Sequence, residues 1–460
     1  MPKWLGELVP IALLLALIAV VVARLPKVEL GHSDAYRRRR ALNWLPLGLT
    51  YAFLYMGRYN LTAFKDGGSL TREQFGDIFA VGAAVYGVSF LLNGPLTDKL
   101  GGRRTILISA FGSAMANLVM GVVVLGGYGI EQPVLVFSIL YGVNMYFQSF
   151  GAVSIVKVNS AWFHVRERGV FAGIFGILIS LGIYFAFDWG HRIVMALPHQ
   201  WVFFIPAAIL LLFFAIDLKL VRDTPSDAGH TDFDTGDASS GDDGPPLPVG
   251  ALFKRLLTNP VILTIAMIEF CSGFLRNAIM HWYRDFAKGL SLVDQFVYEN
   301  WGMLLCMAGI TGGMLAGVIS DRVFQSRRGP VAALLYGIML VGGLVMIPLV
   351  SAPLSIGWIV VVMSMAIIGV HGMLSGVASQ DFGGKKNAGT AVGIIDGFVY
   401  GGTALQSVVL GHLLPARGTP EAAQIESWTV WPYTMLPAAG VGLILAVLVW
   451  HARPQPIKKR

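Results

Sequence analysis

Apolar residues run through this chain in stretches of about 20, the length an α-helix needs to cross a bilayer, with short polar segments between them. Twelve such stretches form a core. Six lie in the first half, at 42–64, 74–96, 104–126, 133–157, 170–188 and 200–221. Six lie in the second, at 259–283, 300–319, 330–350, 356–378, 388–413 and 431–451. One more run, Leu8–Leu25, precedes them. The segment 222–250 between the halves is polar and rich in Gly and Pro, with seven Asp from Asp223 to Asp243, and reads as a disordered linker. The pattern predicts an all-α polytopic membrane protein in four parts. Residues 1–41 form an accessory N-terminal transmembrane helix with a basic linker, and 42–221 a six-helix bundle. Residues 222–250 form an acidic cytoplasmic linker, and 251–460 a second six-helix bundle with a basic tail.

Composition removes the soluble alternatives. Apolar residues make up 55% of the chain, charged residues 13%, and the mean hydropathy is +0.65. A soluble globule carries about 25% charged residues, so this chain lacks the charge to cover a surface facing water. The two cysteines, Cys271 and Cys306, lie in apolar runs and suggest no disulfide framework. The net charge of +7 points to the cytoplasmic excess of Lys and Arg that orients membrane proteins, not to nucleic acid. With the loops alternating and the linker inside, the inside segments hold 25 of the 34 basic residues. The outside loops hold six: Lys65, Arg72, Arg192, Arg284, Lys288 and Arg417. That asymmetry predicts cytoplasmic ends for the core. The Leu8–Leu25 run is followed by Arg37–Arg40, which puts the extreme N-terminus outside. Its n-region carries only Lys3 and no small-residue cleavage site follows, so it reads as a retained helix and not a signal peptide.

The halves repeat. Gly94-Pro-Leu-Thr-Asp98-Lys99, followed by Arg103 and Arg104, recurs 223 residues later as Gly317-Val-Ile-Ser-Asp321-Arg322, followed by Arg327 and Arg328. Gly169-Val-Phe-Ala-Gly173 recurs at Gly389-Thr-Ala-Val-Gly393, and Arg58 recurs at Arg276. Parallel repeats of six helices are the arrangement of the major facilitator superfamily, and the Gly-x-x-x-Asp-Lys/Arg loop resembles its signature between helices two and three. Asp98, Arg103, Arg104, Asp321, Arg327 and Arg328 are thus expected to form a cytoplasmic charge cluster that holds the two bundles in one state of a transport cycle.

Arg58 and Arg276 are basic residues deep within apolar spans, where a charge costs at least ~2.5–3.5 kcal/mol and marks a ligand or ion pathway by default. They come from equivalent positions of the two halves, so both are expected to face a cavity on the pseudo-twofold axis. Guanidinium forks match phosphate oxygens in a bidentate way. A phosphate- or carboxylate-bearing substrate clamped between the bundles satisfies both. The competing expectation is that each pairs with an internal carboxylate, with Glu269 or Asp396 as candidates.

Several segments together resemble the organophosphate:phosphate antiporters, the family of glycerol-3-phosphate and hexose-phosphate transporters. They are Tyr51-Ala-Phe-Leu-Tyr55-Met-Gly-Arg58-Tyr-Asn60, Phe147-Gln148-x-x-Gly151, Trp162-Phe163-x-x-Arg166-Glu167-Arg168-Gly169, Leu275-Arg276 with Trp282, and Asp381-x-x-Gly384-Lys385-Lys386-x-Ala388-Gly389-Thr390-Ala391. The resemblance spans about 42–451. It implies phosphate binding by Arg58 and Arg276, a cavity tyrosine at Tyr400, and exchange of an organophosphate for inorganic phosphate. Tyr51 and Tyr55 share a helix face with Arg58, and Gln148 completes the expected site.

The chain departs from that family in two places. Phe90 stands where relatives have a cavity lysine, and Leu178 is near the position of a histidine in the glycerol-3-phosphate branch. Asp396 and His371 appear instead. With both arginines charged, Asp396 lowers the formal charge of the site to about +1. It is expected either to read a substrate's amino group or to couple protons. The expected substrate is therefore a small organophosphate, or a zwitterionic phosphate or phosphonate. Proton-coupled organic-anion symport and sugar-phosphate sensing, with the N-terminal helix contacting a partner protein, are the alternatives. No nucleotide-binding loop, metal-ligand or redox motif is present, so neither catalysis nor a cofactor or metal is expected. The expected setting is a bacterial inner membrane, and the expected partners are the bilayer and a small anion, with no nucleic acid.

Overall fold

The structure is a computed structural model describing residues 12–20, 31–129, 131–164, 167–235, 250, 251, 254, 257–324, 327–375 and 379–451. At 168–175, 321, 379–389, 391 and 392 it describes the backbone only. Twelve long helices form the core. They are α1 (Asp34–Asp66), α2 (Arg72–Leu100), α3 (Gly102–Gly126), α4 (Pro133–Trp162), α5 (Arg168–Tyr184) and α6 (Trp201–Leu220) in the first bundle. The second bundle holds α7 (Pro260–Met280), α8 (Trp301–Val318), α9 (Arg328–Leu349), α10 (Pro353–Met373), α11 (Ser379–Leu413) and α12 (Val430–Leu448). Helix α5 continues through a π-turn, Phe185–Trp189, into Gly190–Ala196. No strand occurs among the described residues.

Local chemistry sets the helix starts. Thr71 caps α2 in a reciprocal capping box with Gln74. Asn259 accepts from the N–H groups of Val261 and Ile262 at the start of α7. Prolines open α4, α7 and α10, where the missing N–H costs nothing. A single residue, Gly101, joins α2 to α3 at φ 89°, a backbone conformation that disfavours any side chain.

Eleven helical segments are long and apolar enough to cross a membrane. Helix α1 is the twelfth core helix. It falls short because it carries Arg37–Arg40, Arg58 and Asn60, and it begins eight residues before the expected span. Of the Leu8–Leu25 run, residues 12–20 are helical, with Leu14 buried; the rest lies outside the described residues.

The packing repeats as the sequence does. In the first bundle α1 packs on α5 and α6, α3 on α4 and α6, and α2 on α4. In the second, α7 packs on α11 and α12, α9 on α10 and α12, and α8 on α10. The extensive contacts between bundles are α2 with α11 and α5 with α8, a pair that the same twofold interchanges. Close approach in the second bundle depends on missing side chains: a Cβ on Gly273 of α7 would strike the Val399 carbonyl of α11.

The linker starts later than its composition indicates. Residues 222–235 fold against the first bundle. The Arg222 N–H donates to Asn43 Oδ1 (2.7 Å), and Trp162 Nε1 donates to the Arg222 carbonyl (3.1 Å). His230 and Phe233 set their rings edge-on against Tyr36. The disordered reading of 222–250 is therefore corrected over 222–235. Aromatic contacts to Tyr36 and hydrogen bonds to Asn43 and Trp162 hold a segment whose Asp content alone suggested solvent. Residues 236–249 lie outside the described residues.

Candidate functional site

Side chains from α3 and α4 grip the backbone of α1 around Arg58. Gln148 Nε2 donates to the Leu54 carbonyl (2.9 Å), Asn144 Nδ2 to the Gly57 carbonyl (3.0 Å), and Tyr141 Oη to the Arg58 carbonyl (2.8 Å). Asn117 Nδ2 also reaches the Gly57 carbonyl (3.3 Å), and Asn60 Nδ2 donates to Asn117 Oδ1 (2.6 Å). In an apolar interior each such bond pins one helix against another. They hold the Arg58 Cα where its side chain crosses the molecular axis.

The guanidinium of Arg58 is fully buried and uses all three of its nitrogens. Nε donates to Gln148 Oε1 (3.2 Å), Nη2 to Tyr86 Oη (2.6 Å), and Nη1 to Tyr400 Oη (2.8 Å). Tyr400 is on α11, so the last bond joins the two bundles. The faces of Tyr55 and Tyr86 lie 4.6 and 4.4 Å from the guanidinium carbon, and Tyr51 stacks edge-on against Tyr55. All these partners are neutral.

Arg276, on α7, is buried and has neither an ion pair nor a hydrogen bond among the described residues. Its electrostatic neighbours are Tyr59, Tyr400, Tyr55 and Glu269. The expected carboxylate pairings are not formed. Glu269 Oε2 instead meets His371 Nδ1 (2.8 Å), and Asp396 accepts from Ser375 Oγ (2.5 Å). Glu269 is fully buried beside the site, not interfacial. The two arginines and the two carboxylates thus sum to a formal charge of 0, not +1. Phe90 is buried against Tyr86 and Tyr400, so the place of the relatives' lysine is filled by a ring.

The structure brings together Arg58, Tyr51, Tyr55, Gln148 and Tyr400 from the sequence-selected residues, with Arg276 across the axis. His371 and Asp396 lie farther along α10 and α11, facing Glu269. Tyr86, Tyr141, Asn117 and Asn144 were not selected. The available signal was an amide or phenol inside an otherwise apolar span, which needs a buried partner.

The signature-loop charges behave differently from the expectation. Asp98 pairs with Lys157 Nζ of α4 (3.0 Å), not with Arg103 or Arg104. Arg103 donates its backbone N–H to Asp223 Oδ1 (2.7 Å) and a guanidinium N–H to the Leu218 carbonyl (2.8 Å), and Arg104 is exposed. Arg327 donates to the Phe324 carbonyl and Arg328 to Ser320 Oγ. Each contact stays within its own bundle, because the carbonyls and hydroxyls at the nearby helix ends supply closer acceptors than the opposite bundle does. The Asp321 side chain lies outside the described residues.

An ionic network between bundles sits at the opposite end of the helices. Asp285, just after α7, is fully buried and pairs with Lys65, with Arg72 Nε (3.2 Å) and with an Nη of Arg417 (2.7 Å). Arg417 also reaches Asp66 (3.5 Å), and Lys288 Nζ donates to the Asp66 carbonyl (2.5 Å). Burial opposes the charge on Arg417, but Asp285 and Asp66 hold its pKa above the ordinary value. Nearby, Arg284 donates to Asp188 (3.0 Å), which also accepts the N–H groups of Gly302 and Met303 at the start of α8. Below the network, His281 is ringed by Tyr59, Phe75, Phe79 and Phe187 and meets Thr62 Oγ1 at 2.8 Å. Buried side chains from both bundles fill this end. Five of the six basic residues assigned to outside loops form the latch.

Comparison with known proteins agrees with this architecture. The family model of the Major Facilitator Superfamily matches residues 47–407. The glycerol-3-phosphate transporter of Bacillus subtilis is 27% identical, covering 83% of this chain and 87% of its own length. The membrane sensor protein UhpC of Salmonella typhimurium is 26% identical, covering 93% and 95%. A crystal structure of a bacterial homologue of the human lysosomal transporter Spinster superposes with a TM-score of 0.64 at 14% identity, over 91% of this chain and 97% of that one, and supports the fold alone. Two six-helix bundles in parallel repeat and a matching family model lead to one conclusion: the chain is a multi-pass membrane protein of the Major Facilitator Superfamily, similar over most of its length to a glycerol-3-phosphate transporter and a membrane sensor protein.

Proposed function

We propose that the chain is a secondary active transporter that carries a small phosphorylated organic anion across the membrane by alternating access, in exchange for inorganic phosphate. One observation carries this reading. Two buried arginines from equivalent positions of the bundles face one axis, and neither has a carboxylate within ion-pair distance among the described residues. A buried cation without a counterion is costly. A phosphate dianion removes that cost on both sides at once and offers each fork two oxygens.

The chemistry of exchange follows. Without substrate, Arg58 is held by Tyr86, Gln148 and Tyr400. A phosphate entering between the bundles replaces the Tyr400 contact, engages the free Nε of Arg276, and draws α1 and α7 toward each other. That movement strains the latch around Asp285 and favours opening at its end. The empty site, with two uncompensated arginines, is a poor candidate for the return passage, so the carrier returns loaded. We place the latch on the outer side and the linker in the cytoplasm, in keeping with the distribution of basic residues.

The test is counterflow of radiolabelled phosphate into proteoliposomes loaded with inorganic phosphate. Exchange in the wild type, abolished in Arg58→Ala and Arg276→Ala, is the expected result; absence of exchange by the folded wild type would sink the proposal. Similarity to a membrane sensor over 93% of this chain favours a second reading, in which the same site binds its anion and signals to a partner. Deleting residues 1–30 separates the two, since transport by the core survives it and partner signalling through the N-terminal helix does not.

A further inference from the structure

Glu269 and Arg276 lie seven residues apart on α7, on one face and about 10 Å apart along the helix axis. Each carries a buried, unpartnered polar atom: Oε1 of Glu269 and Nε of Arg276. An orphan acceptor and an orphan donor on one helix face call for a ligand with an acceptor at one end and a donor at the other. The region around the acceptor is anionic. Asp396 of α11, which takes a hydrogen bond from Ser375, has His371, Glu269 and Arg276 as neighbours. His371 Nδ1 meets Glu269 Oε2 at 2.8 Å, and the His371 side chain is 22% exposed. One carboxylate thus meets a histidine and the other a serine, and the nearby arginine forms an ion pair with neither among the described residues.

We infer that the substrate is zwitterionic: its phosphate or phosphonate group lies on Arg58 and Arg276, and an ammonium lies between Glu269 and Asp396. The inference rests on the phosphate reading above and adds the chemistry of the other end. A neutral hydroxyl would complete Glu269 Oε1 but leave both negative charges uncompensated in a buried setting. An ammonium supplies three donors and the missing charge together. Glu269 is nearer than Arg276 to the linker end, where α7 begins, so the phosphate enters deepest and the ammonium trails. Phe90, against Tyr86 and Tyr400, fits this division: the cationic half of the site has two arginines and no lysine.

The experiment is competition against radiolabelled phosphate counterflow by a series of ω-aminoalkyl phosphates, from ethanolamine phosphate upward. Each is measured beside the alkyl phosphate of the same length without the amine. In the wild type, at least one aminoalkyl phosphate should compete about tenfold better than its amine-free twin, the gain expected of one charge-assisted contact. Glu269→Gln and Asp396→Asn should each bring that ratio close to one, and both should bind inorganic phosphate more tightly because a neighbouring negative charge is gone. Equal competition by every pair in the wild type overturns the inference, and that comparison needs no variant to fold. A preference that survives in both variants overturns it as well. The phosphate reading fails differently: the wild type then gives no phosphate counterflow at all, and binding read from thermal shifts with inorganic phosphate is absent.

Discussion

The site is decided by residues whose neighbours are chosen for what they lack. Arg58 bonds three neutral oxygens and Arg276 bonds nothing among the described residues, so on the proposed reading their charge is available to a ligand. Geometry matters as much as charge here. The Nε, Nη1 and Nη2 atoms of Arg58 each go to a different acceptor, which a lysine ammonium at the end of a flexible stem cannot reproduce. Arg58→Lys and Arg276→Lys should therefore each weaken inorganic phosphate binding at least about tenfold, roughly 1.4 kcal/mol, in protein that still elutes as a folded monodisperse peak. Near wild-type affinity in either lysine variant would mean that charge alone suffices and the fork plays no part. The two arginines were legible in the sequence because a charge inside an apolar run is conspicuous. Of the partners of Arg58, Tyr400 and Gln148 were expected from the family resemblance but Tyr86 was not, because its phenol meets Arg58 only once α1 and α2 have packed.

In the proposed cycle, helices and their ends carry the movement. Asp285 is fully buried among Lys65, Arg72 and Arg417, drawn from both bundles. Removing the one carboxylate that faces several cations costs more than losing a surface pair, about 3–5 kcal/mol by analogy with other buried pairs. Asp285→Asn should shift the population toward a state open at that end. A cysteine placed at the buried Thr62, with Cys271 and Cys306 replaced by serine, should then react with a water-soluble maleimide at least tenfold faster than in the Asp285 background. Equal rates would show that the aromatic ring around His281 closes this end without help. Where α2 meets α11, a Cβ on Gly87 would come within 3.0 Å of the Gly397 carbonyl. Gly87→Val should force these helices apart, lowering counterflow severalfold while leaving a folded protein by gel filtration. Spans were readable from apolar run length. The latch was not, because its cations look like ordinary loop residues and Asp285 looks like an interfacial one. Only the meeting of two distant turns gives them a common partner.

On the scale of the molecule, the two bundles are joined covalently by the segment beyond residue 235 and non-covalently by α2 with α11, α5 with α8, the Arg58–Tyr400 bond and the latch. Since residues 222–235 belong to the first bundle, a cut beyond them leaves that segment with its own bundle. Co-expressed halves, 1–240 and 241–460, should copurify and keep phosphate counterflow; halves that separate on a single affinity step would show that the linker is needed to hold the bundles together. The sequence by itself determined the membrane setting, the number of core helices, their division into two parallel halves and the pair of buried arginines. These follow from hydrophobic run length, the distribution of Lys and Arg and a repeat near 220 residues, all of which are local or periodic along the chain. Tertiary structure alone decided that Asp98 pairs with Lys157, that Glu269 turns to His371 and leaves Arg276 free, and that Lys65, Arg72 and Arg417 converge on Asp285 while Lys288 reaches the Asp66 carbonyl. Electrostatic partners are chosen by distance in space, and in a bundle of twelve helices the partner carboxylate can lie 59 residues away along the chain, as for Lys157, or 220, as for Lys65.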